Sequence, residues 1–224
     1  MNRTLQTRSV VDAVYDELRA DILGGDAVPG TRITELSVAG QFDVARPTAK
    51  AAIERLLSEG LLVRAHRGSG TKVPIFDRDD IVDLYSTRIV IETAAHLALA
   101  AMGGDLSMAA AHIHELDRAA DANDPIGVVS ADVTFHRALV TATNSARLSR
   151  FHEMLMAEAQ LCMSQVQAHQ LLSARQISSE HGDIVKAIEG RDPERITTTT
   201  QDHLRRAQRK LLERLFGTQR ESSG

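Results

Sequence analysis

Apolar residues in the first quarter of the chain follow helical spacing and then strand-like spacing. They recur every four positions from Val10 to Ile22, directly after Ser9, which is a good N-cap residue. Gly24 and its glycine neighbour stop this pattern. The pattern predicts a capped helix of about four turns.

Two further helices and a pair of strands are predicted next. Thr34 can cap a short helix, and another helix begins at Arg46, where the following proline suits the first turn and Gly60 ends the helix. Residues 61–64 and 71–73 have strand character and flank a basic, glycine-rich tip at 66–70. This order of elements predicts a winged helix-turn-helix, whose last helix enters the major groove of DNA.

Beyond Asp77 the strand signals disappear and six helical stretches follow. Asp105 and Asp124 are typical caps, Pro125 and Pro193 suit first turns, and Gly190 is expected to stop a helix. The stretches cover about 79–102, 105–121, 125–143, 146–170, 176–189 and 193–216. We therefore predict a mainly α protein, with a winged helix-turn-helix domain at 1–76, an all-helical six-helix bundle at 77–218 and a disordered tail at 219–224.

Composition limits the classes of partner. The chain has 224 residues, 43% of them hydrophobic, which is enough for two domains with cores of their own. Its formal charge of −4 excludes a protein whose whole surface is basic, so any contact with DNA must come from a local patch. Residues 44–72 supply such a patch, because six basic residues there outweigh two glutamates and leave a local charge of +4.

The expected location is the cytoplasm. Cys162 is the only cysteine, so no disulfide can form within the chain, and the first residues lack the apolar core of a signal peptide. No apolar run approaches the roughly 20 residues that a membrane-spanning helix needs.

One pair of residues has metal-ligand spacing. Asp132 and His136 are four residues apart and therefore share one face of a predicted helix. Spacing by itself identifies no candidate ligand beyond this pair. A histidine taken alone is more often structural or exposed than a metal ligand. We therefore interpret His66, His96, His112, His114, His152 and His169 as structural or exposed.

Four segments of the N-terminal part form a recognisable set: Pro29–Ile33, Val44–Ile53, Leu56–Leu61 and Arg67–Thr71. Together they resemble the DNA-binding domain of GntR-type bacterial regulators. The resemblance implies that Arg46 and Lys50 contact operator DNA and that the glycine tip lies by the minor groove. With neighbouring polar residues, the predicted contact set is Arg32, Arg46, Thr48, Lys50, His66, Arg67 and Gly68.

Two residues depart from that family's pattern. Ala45 stands where serine is usual, which removes a helix cap and a phosphate contact. Lys50 stands where arginine is more common. Lysine is a point donor, so a bidentate contact with guanine is weakened at that position.

The C-terminal half contains Asp132-x-x-Phe135-His136, Asn144, the run from Glu180-His181 to Arg191-Asp192, and His203-Leu204. In order and separation these motifs are similar to the FCD domain of the FadR-like branch of GntR regulators. Six helices rather than seven resemble the shorter, VanR-like subgroup. The resemblance implies that Asp132, His136, His181 and His203 bind one divalent metal ion, with zinc favoured over nickel, manganese or iron.

Arg88 is the expected ligand-binding residue. Together with Glu92 it resembles the family's Arg-x-x-x-Glu signature, whose arginine commonly faces the ligand cavity. A guanidinium and a metal ion could hold the carboxylate of a small organic acid from two sides. The alternative is an internal ion pair with Glu92, four residues further along.

These features predict a homodimeric, ligand-responsive transcriptional regulator of repressor type that binds a palindromic operator. One alternative is a direct metal sensor, in which the ion itself is the signal. A metal-dependent enzyme is a second alternative, because three histidines and a carboxylate can also activate water. No His-Glu-x-x-His motif accompanies them, and an enzyme would leave the DNA-binding pattern unexplained.

Overall fold

The computed structural model describes residues 9–65, 70–165 and 173–217. Contacts between Cα atoms divide the chain into two compact units, Met1–Ile75 and Phe76–Gly224. The division lies one residue before the boundary at residue 76 that the sequence suggested, and the expected tail at 219–224 is outside the described residues.

The N-terminal unit packs three helices beside a small sheet. Its elements are α1 (Val10–Gly24), β1 (Arg32–Ile33), α2 (Glu35–Phe42), α3 (Arg46–Ser58), β2 (Val63–Arg64) and β3 (Thr71–Lys72). The sheet is antiparallel, in the order β1-β3-β2, with Thr71 opposite both Ile33 and Arg64. The sequence did not predict β1, because two residues are too short to display a period.

Local capping explains where these helices begin. Ser9 and Asp12 form a reciprocal capping box on α1, and Thr34 and Ser37 form another on α2. Gly25 takes the left-handed conformation that ends α1, with φ at 90°. The apolar faces of the three helices then close one core, which includes Val14, Leu18, Ile22, Val38, Ala49, Ile53 and Leu56.

The C-terminal unit is all-helical in the part that the structure describes. Its helices are α4 (Arg78–Met102), α5 (Ser107–Asp121), α6 (Pro125–Thr141), α7 (Ala146–Gln165), α8 (Ala174–Glu189) and α9 (Pro193–Phe216). A capping box of Asp77 and Asp80 opens α4, and Pro125 and Pro193 begin α6 and α9 as predicted. The predicted fold class, a winged helix-turn-helix followed by a helical bundle, is confirmed.

Three local details concern the start of α5, the end of α8 and the threonine run in α9. Leu106, not Asp105, occupies the N-cap position of α5, although the Asp105 carboxylate accepts a hydrogen bond from the Ser107 amide at 2.9 Å. Gly190 ends α8 with right-handed geometry, and the left-handed residue is Arg191, with φ at 51°. The threonine run 197–200 stays helical, and the hydroxyls of its first three members donate to carbonyls four residues back.

Candidate metal centre and nucleic-acid interface

Four side chains from three helices meet inside the bundle. Asp132 and His136 come from α6, His181 from α8 and His203 from α9, and all four are buried. One potential ligand atom from each lies within 4.8 Å of the others. The structure therefore brings together the four residues that the resemblance implied, and this set could hold a metal ion.

Carboxylates outside the set orient two of the histidines. Glu92 Oε2 lies 2.7 Å from Nδ1 of His136, and Glu180 Oε2 lies 2.9 Å from Nδ1 of His203. An ionised carboxylate only accepts hydrogen bonds, so Nδ1 of each ring carries the proton. The lone pair of each neutral ring is then on Nε2, which is the metal-binding form of histidine.

The two Nε2 atoms face each other across 3.2 Å. With both protons on Nδ1, neither Nε2 can donate to the other, and two lone pairs at this distance repel. Burial lowers the pKa of His136 to about 3 and also lowers that of His203, so a proton shared between the rings does not remove the conflict near neutral pH. A cation between the rings does remove it, and the residues present therefore fit a divalent metal.

Asp132 and His181 complete the set. Oδ1 of Asp132 is 3.3 Å from Nε2 of His181, and the His181 ring stacks on Phe135 with centroids 3.7 Å apart. Neither ring nitrogen of His181 has an aligned hydrogen-bond partner among the described residues, although both are buried. Burial alone raises the pKa of Asp132, but the neighbouring His181 and His136 rings bring it below its usual range. Asp132 is therefore the anionic member of the group.

Arg88 forms the internal ion pair that the sequence offered as one of its two roles. Its Nε donates to Glu92 at 2.8 Å, so the internal ion pair is present, and both side chains are almost fully buried. Its Nη2 is buried and makes no hydrogen bond within the described part of the chain. Arg88 thus retains one buried donor beyond its pair with Glu92.

A small cavity lies against the four-residue set. It has a volume of about 30 Å³, and Asp132, His136 and His203 form part of its wall beside Arg88. Its other lining residues are Tyr85, Val128, Val129, Met163, Ile177 and Ala207. A water molecule needs about 10–15 Å³ measured in this way, so the cavity has room for about two water-sized groups.

The candidate DNA-contacting surface lies on α3 of the N-terminal unit. Arg46 and Lys50 are exposed one turn apart on this helix, and neither has an ion-pair partner among the described residues. Thr48 is half-buried beside them, and Arg32 is exposed on β1. Ala45 provides no side-chain cap, as its identity predicted, so the first amides of α3 have no side-chain acceptor from the N-cap residue.

The basic patch is smaller than the sequence count implied. Arg55 donates to Asp12 at 2.6 Å and lies 3.8 Å above the Tyr15 ring, so it joins α3 to α1. Arg64 pairs with Glu54 at 3.1 Å. The predicted wing contacts at residues 66–68 lie outside the described residues.

Sequence reasoning missed the residues around the four candidate metal ligands. Glu180 holds His203, and His152, expected to be unremarkable, is buried with Nε2 3.3 Å from Glu92. Tyr85 lines the cavity although no motif singled it out. The one available signal was helical spacing, because Tyr85 precedes Arg88 by three residues and therefore shares its helix face.

None of the helices in the described ranges combines the length and apolar character needed to span a membrane.

Comparison with known families covers both units. Residues 83–206, more than half of the chain, match the FCD domain, and residues 10–73 match the family described as bacterial regulatory proteins, gntR family. The chain is 28% identical over 206 residues to the HTH-type transcriptional regulator BphR of Paraburkholderia xenovorans, across 88% of this chain and 83% of that protein. It is 26% identical to a protein of Paenarthrobacter nicotinovorans named a D-xylose utilization operon transcriptional repressor, across 86% and 84%.

Solved structures agree with these matches. A GntR transcriptional regulator from Rhodococcus sp. RHA1 superposes with a TM-score of 0.76 at 27% identity, across 90% of this chain and 97% of that one. McbR/YncC of E. coli shares the fold with a TM-score of 0.72 at 17% identity, across 92% and 99%. BphR, the Paenarthrobacter protein and the Rhodococcus protein are described as transcriptional regulators, and the enzyme alternative is thereby set aside. The chain belongs to the GntR family of bacterial regulators and carries an FCD domain as its C-terminal unit.

Proposed function

We propose that this regulator is a cytoplasmic, homodimeric repressor whose FCD domain holds a divalent metal and responds to a small organic acid. The observation that carries the proposal is the pair of Nε2 atoms of His136 and His203, 3.2 Å apart, with Asp132 and His181 beside them. Two buried nitrogen lone pairs that face each other cost free energy unless a cation lies between them.

Asp132, His136, His181 and His203 would hold the metal, and zinc is the ion we favour. Imidazole and carboxylate ligands suit zinc, and they also suit nickel, manganese and iron. Zinc bonds of about 2.0–2.1 Å in tetrahedral geometry separate ligand atoms by about 3.3 Å. The distances of 3.2 Å between His136 and His203 and 3.3 Å between His181 and Asp132 are close to that value. When bound, such an ion would supply a positive charge, and expansion from four to five ligands would give a coordination position for an oxygen of the acid.

Arg88 supports the assignment of an organic acid as the effector. Its Nη2 has no partner among the described residues, and the side chain lines the same cavity as Asp132, His136 and His203. A guanidinium matches a carboxylate in shape and charge. The second anchor of the acid would be the metal position, whose residues line the same cavity.

The N-terminal unit supports operator binding through α3. We propose that Arg46 and Lys50 contact bases, that Thr48 and Arg32 contact the backbone, and that the uncapped start of α3 faces a phosphate. The wing contacts of His66, Arg67 and Gly68 remain part of this proposal. One such unit contacts a half-site, so a symmetric dimer on a palindromic operator follows.

The test begins with an operator selected from random duplexes and measures binding by fluorescence anisotropy. We expect short carboxylates to weaken operator binding by metal-loaded protein and to have no effect after chelation. If chelation alone abolishes operator binding, the metal is itself the signal and the protein is a metal sensor. A regulator that selects no specific duplex, or that responds to acids identically without metal, would contradict the proposal.

A further inference from the structure

Four polar side chains join α1 to the C-terminal end of α3. Asp12 and Tyr15 belong to α1, Arg55 lies in the last turn of α3, and Glu59 is the residue that follows this helix. Arg55 Nη1 donates to Oδ1 of Asp12 at 2.6 Å, and the Tyr15 hydroxyl lies 2.8 and 2.7 Å from the two carboxylate oxygens of Glu59. The Arg55 guanidinium also lies 3.8 Å from the centre of the Tyr15 ring. We call these four residues the α1–α3 polar cluster.

The charge states of the cluster support these contacts. Burial raises the pKa of Tyr15 to about 12 and the Glu59 carboxylate adds to the shift, so the hydroxyl keeps its proton and donates. Hydrogen bonds from Ser9 and Arg55 lower the pKa of Asp12, so its carboxylate stays ionised. A planar guanidinium can bond a carboxylate and stack on an aromatic ring at the same time. The cluster therefore makes contacts with defined directions at two places.

The apolar core supplies most of the attraction between α1 and α3. Residues such as Leu18 of α1 and Ile53 of α3 are buried, and the burial of apolar surface stabilises a fold without favouring one direction. The side chains of Arg55 and Asp12 are 44% and 45% exposed, and ion pairs at such positions add little to stability. The directed bonds of the cluster add a fixed orientation of one helix on the other.

This orientation matters because the proposed base contacts lie at the other end of α3. Arg46 and Lys50 are exposed in the first half of the helix, where Ala45 makes no side-chain capping bond. Arg55 is nine residues beyond Arg46. At about 1.5 Å per residue this separation is roughly 13 Å along the helix axis, so a tilt of about 5° at the cluster displaces the start of α3 by about 1 Å. A binding site tolerates a displacement of about 0.5 Å.

We propose that Tyr15 and Arg55 are positioning residues for operator recognition, which fix the orientation in which α3 presents Arg46 and Lys50 to the bases. This inference rests on the operator contacts in the proposed function and adds two residues that act through α3. Binding to the operator depends on base contacts, whereas binding to a random duplex depends on phosphate contacts. Loss of the orientation should therefore weaken the first and leave the second unchanged.

Anisotropy titrations of the full chain with the selected operator and with a random duplex of equal length test the proposal. Tyr15→Phe keeps the ring beneath Arg55 and removes the bond to Glu59, and Arg55→Lys keeps the positive charge and removes the planar group. We expect each variant to lower the ratio of operator affinity to random-duplex affinity about 10-fold, with unchanged salt dependence on the random duplex. Arg118→Lys, whose ion pair lies within α5, is the matched control and should keep the wild-type ratio.

Glu59→Gln and Glu59→Ala provide a second comparison that does not need Tyr15→Phe to fold. Glutamine keeps an oxygen that accepts from the Tyr15 hydroxyl, so Glu59→Gln should retain more of the affinity ratio than Glu59→Ala does. This result would distinguish positioning by the hydrogen bond from an effect of the charge alone.

Two results would overturn the proposal. An unchanged ratio in Arg55→Lys and Tyr15→Phe, even with a lower melting temperature, would mean that the cluster only stabilises the fold or that Arg55 serves only as a positive charge. An equal loss of affinity for both duplexes would mean that no specificity depends on the cluster. If the wild type selects no operator, or if Arg46→Ala binds the operator normally, the proposed contacts of α3 fail and this inference fails with them.

Discussion

His136 and His203 meet at their Nε2 atoms, 3.2 Å apart, while a carboxylate from another helix holds the Nδ1 atom of each ring. Glu92 on α4 holds the first ring, and Glu180 on α8 holds the second. The metal-binding form of both histidines is thus prepared by the folded protein. Arginines extend both contacts, because Arg88 pairs with Glu92 and Arg206 pairs with Glu180.

Removing these carboxylate charges should weaken the metal site. We expect Glu92→Gln and Glu180→Gln each to lower metal affinity about 10- to 100-fold, because outer carboxylates orient the ligating ring and raise its basicity. Competition with a chelator of known affinity measures this change. Glu115→Gln is the matched control, because Glu115 bonds Nδ1 of His112 at 2.7 Å away from the cluster. An equal loss of metal affinity in all three variants would mean that Glu92 and Glu180 affect only the overall stability of the protein.

Truncating Arg88 should destabilise the C-terminal unit. Arg88→Gln leaves the buried Glu92 without its cationic partner, and breaking such a pair costs about 3–5 kcal/mol of unfolding free energy. Denaturant unfolding of the metal-free protein measures this cost. Arg118→Gln is the control, since that side chain is 76% exposed and the change should stay within about 0.5 kcal/mol. Equal stability of the two variants would show that the Arg88–Glu92 pair contributes little.

Acid should destabilise the metal-free protein, and His96 should contribute. Burial lowers the pKa of His96 from 6.5 to about 4; the nearby Glu92 opposes this shift, whereas His152, His203 and His181 add to it. Below pH 6.5 the unfolded chain therefore binds a proton that the folded chain excludes until about pH 4. Each such group reduces the unfolding free energy by up to about 1.4 kcal/mol per pH unit in this window.

Denaturant unfolding at pH 8, 7, 6 and 5 tests this prediction. Stability should be nearly constant above pH 7 and should fall towards pH 5. His96→Gln keeps a polar group beside Thr200, which His96 Nδ1 contacts at 2.9 Å, and should give a shallower fall. Stability that rises between pH 7 and pH 5 would contradict the buried neutral state of these rings.

Arg46 should be essential for operator recognition. Arg46→Ala removes an exposed side chain from α3, so the fold should persist while specific affinity falls by about 1–3 kcal/mol or more. Anisotropy with the selected operator measures the loss, and the wild-type complex should weaken steeply with salt. Arg209→Ala, an exposed arginine on α9, is the control. If Arg46→Ala binds the operator normally, α3 is not the recognition helix.

The sequence predicted helices well and long-range contacts poorly. Caps such as Ser9 and Asp124 act within one turn, so the start of α1 and of α6 could be located without tertiary information. The contact between His136 and Glu92 joins residues 44 positions apart and depends on how α4 packs against α6. Spacing alone supported only the Asp132–His136 pair, and the complete ligand set required the family resemblance.

The size of the basic patch also depends on contacts that the sequence does not reveal. Counting charges between residues 44 and 72 included Arg55 and Arg64, which the fold commits to Asp12 and Glu54. Both pairings depend on the packing of one element against another, which a count along the chain does not contain. Charge patterning located the right segment and overstated the number of side chains free to contact DNA.

Metal content tests the central claim most directly. Elemental analysis of protein purified from metal-replete cells should find about one divalent ion per chain, and chelation should lower the melting temperature of the C-terminal unit. His136→Ala should lose both the ion and the chelator effect, whereas His112→Ala, outside the cluster, should keep both. Absence of stoichiometric metal in the wild type, with no thermal shift when zinc, nickel or manganese is added, would contradict the four-ligand site.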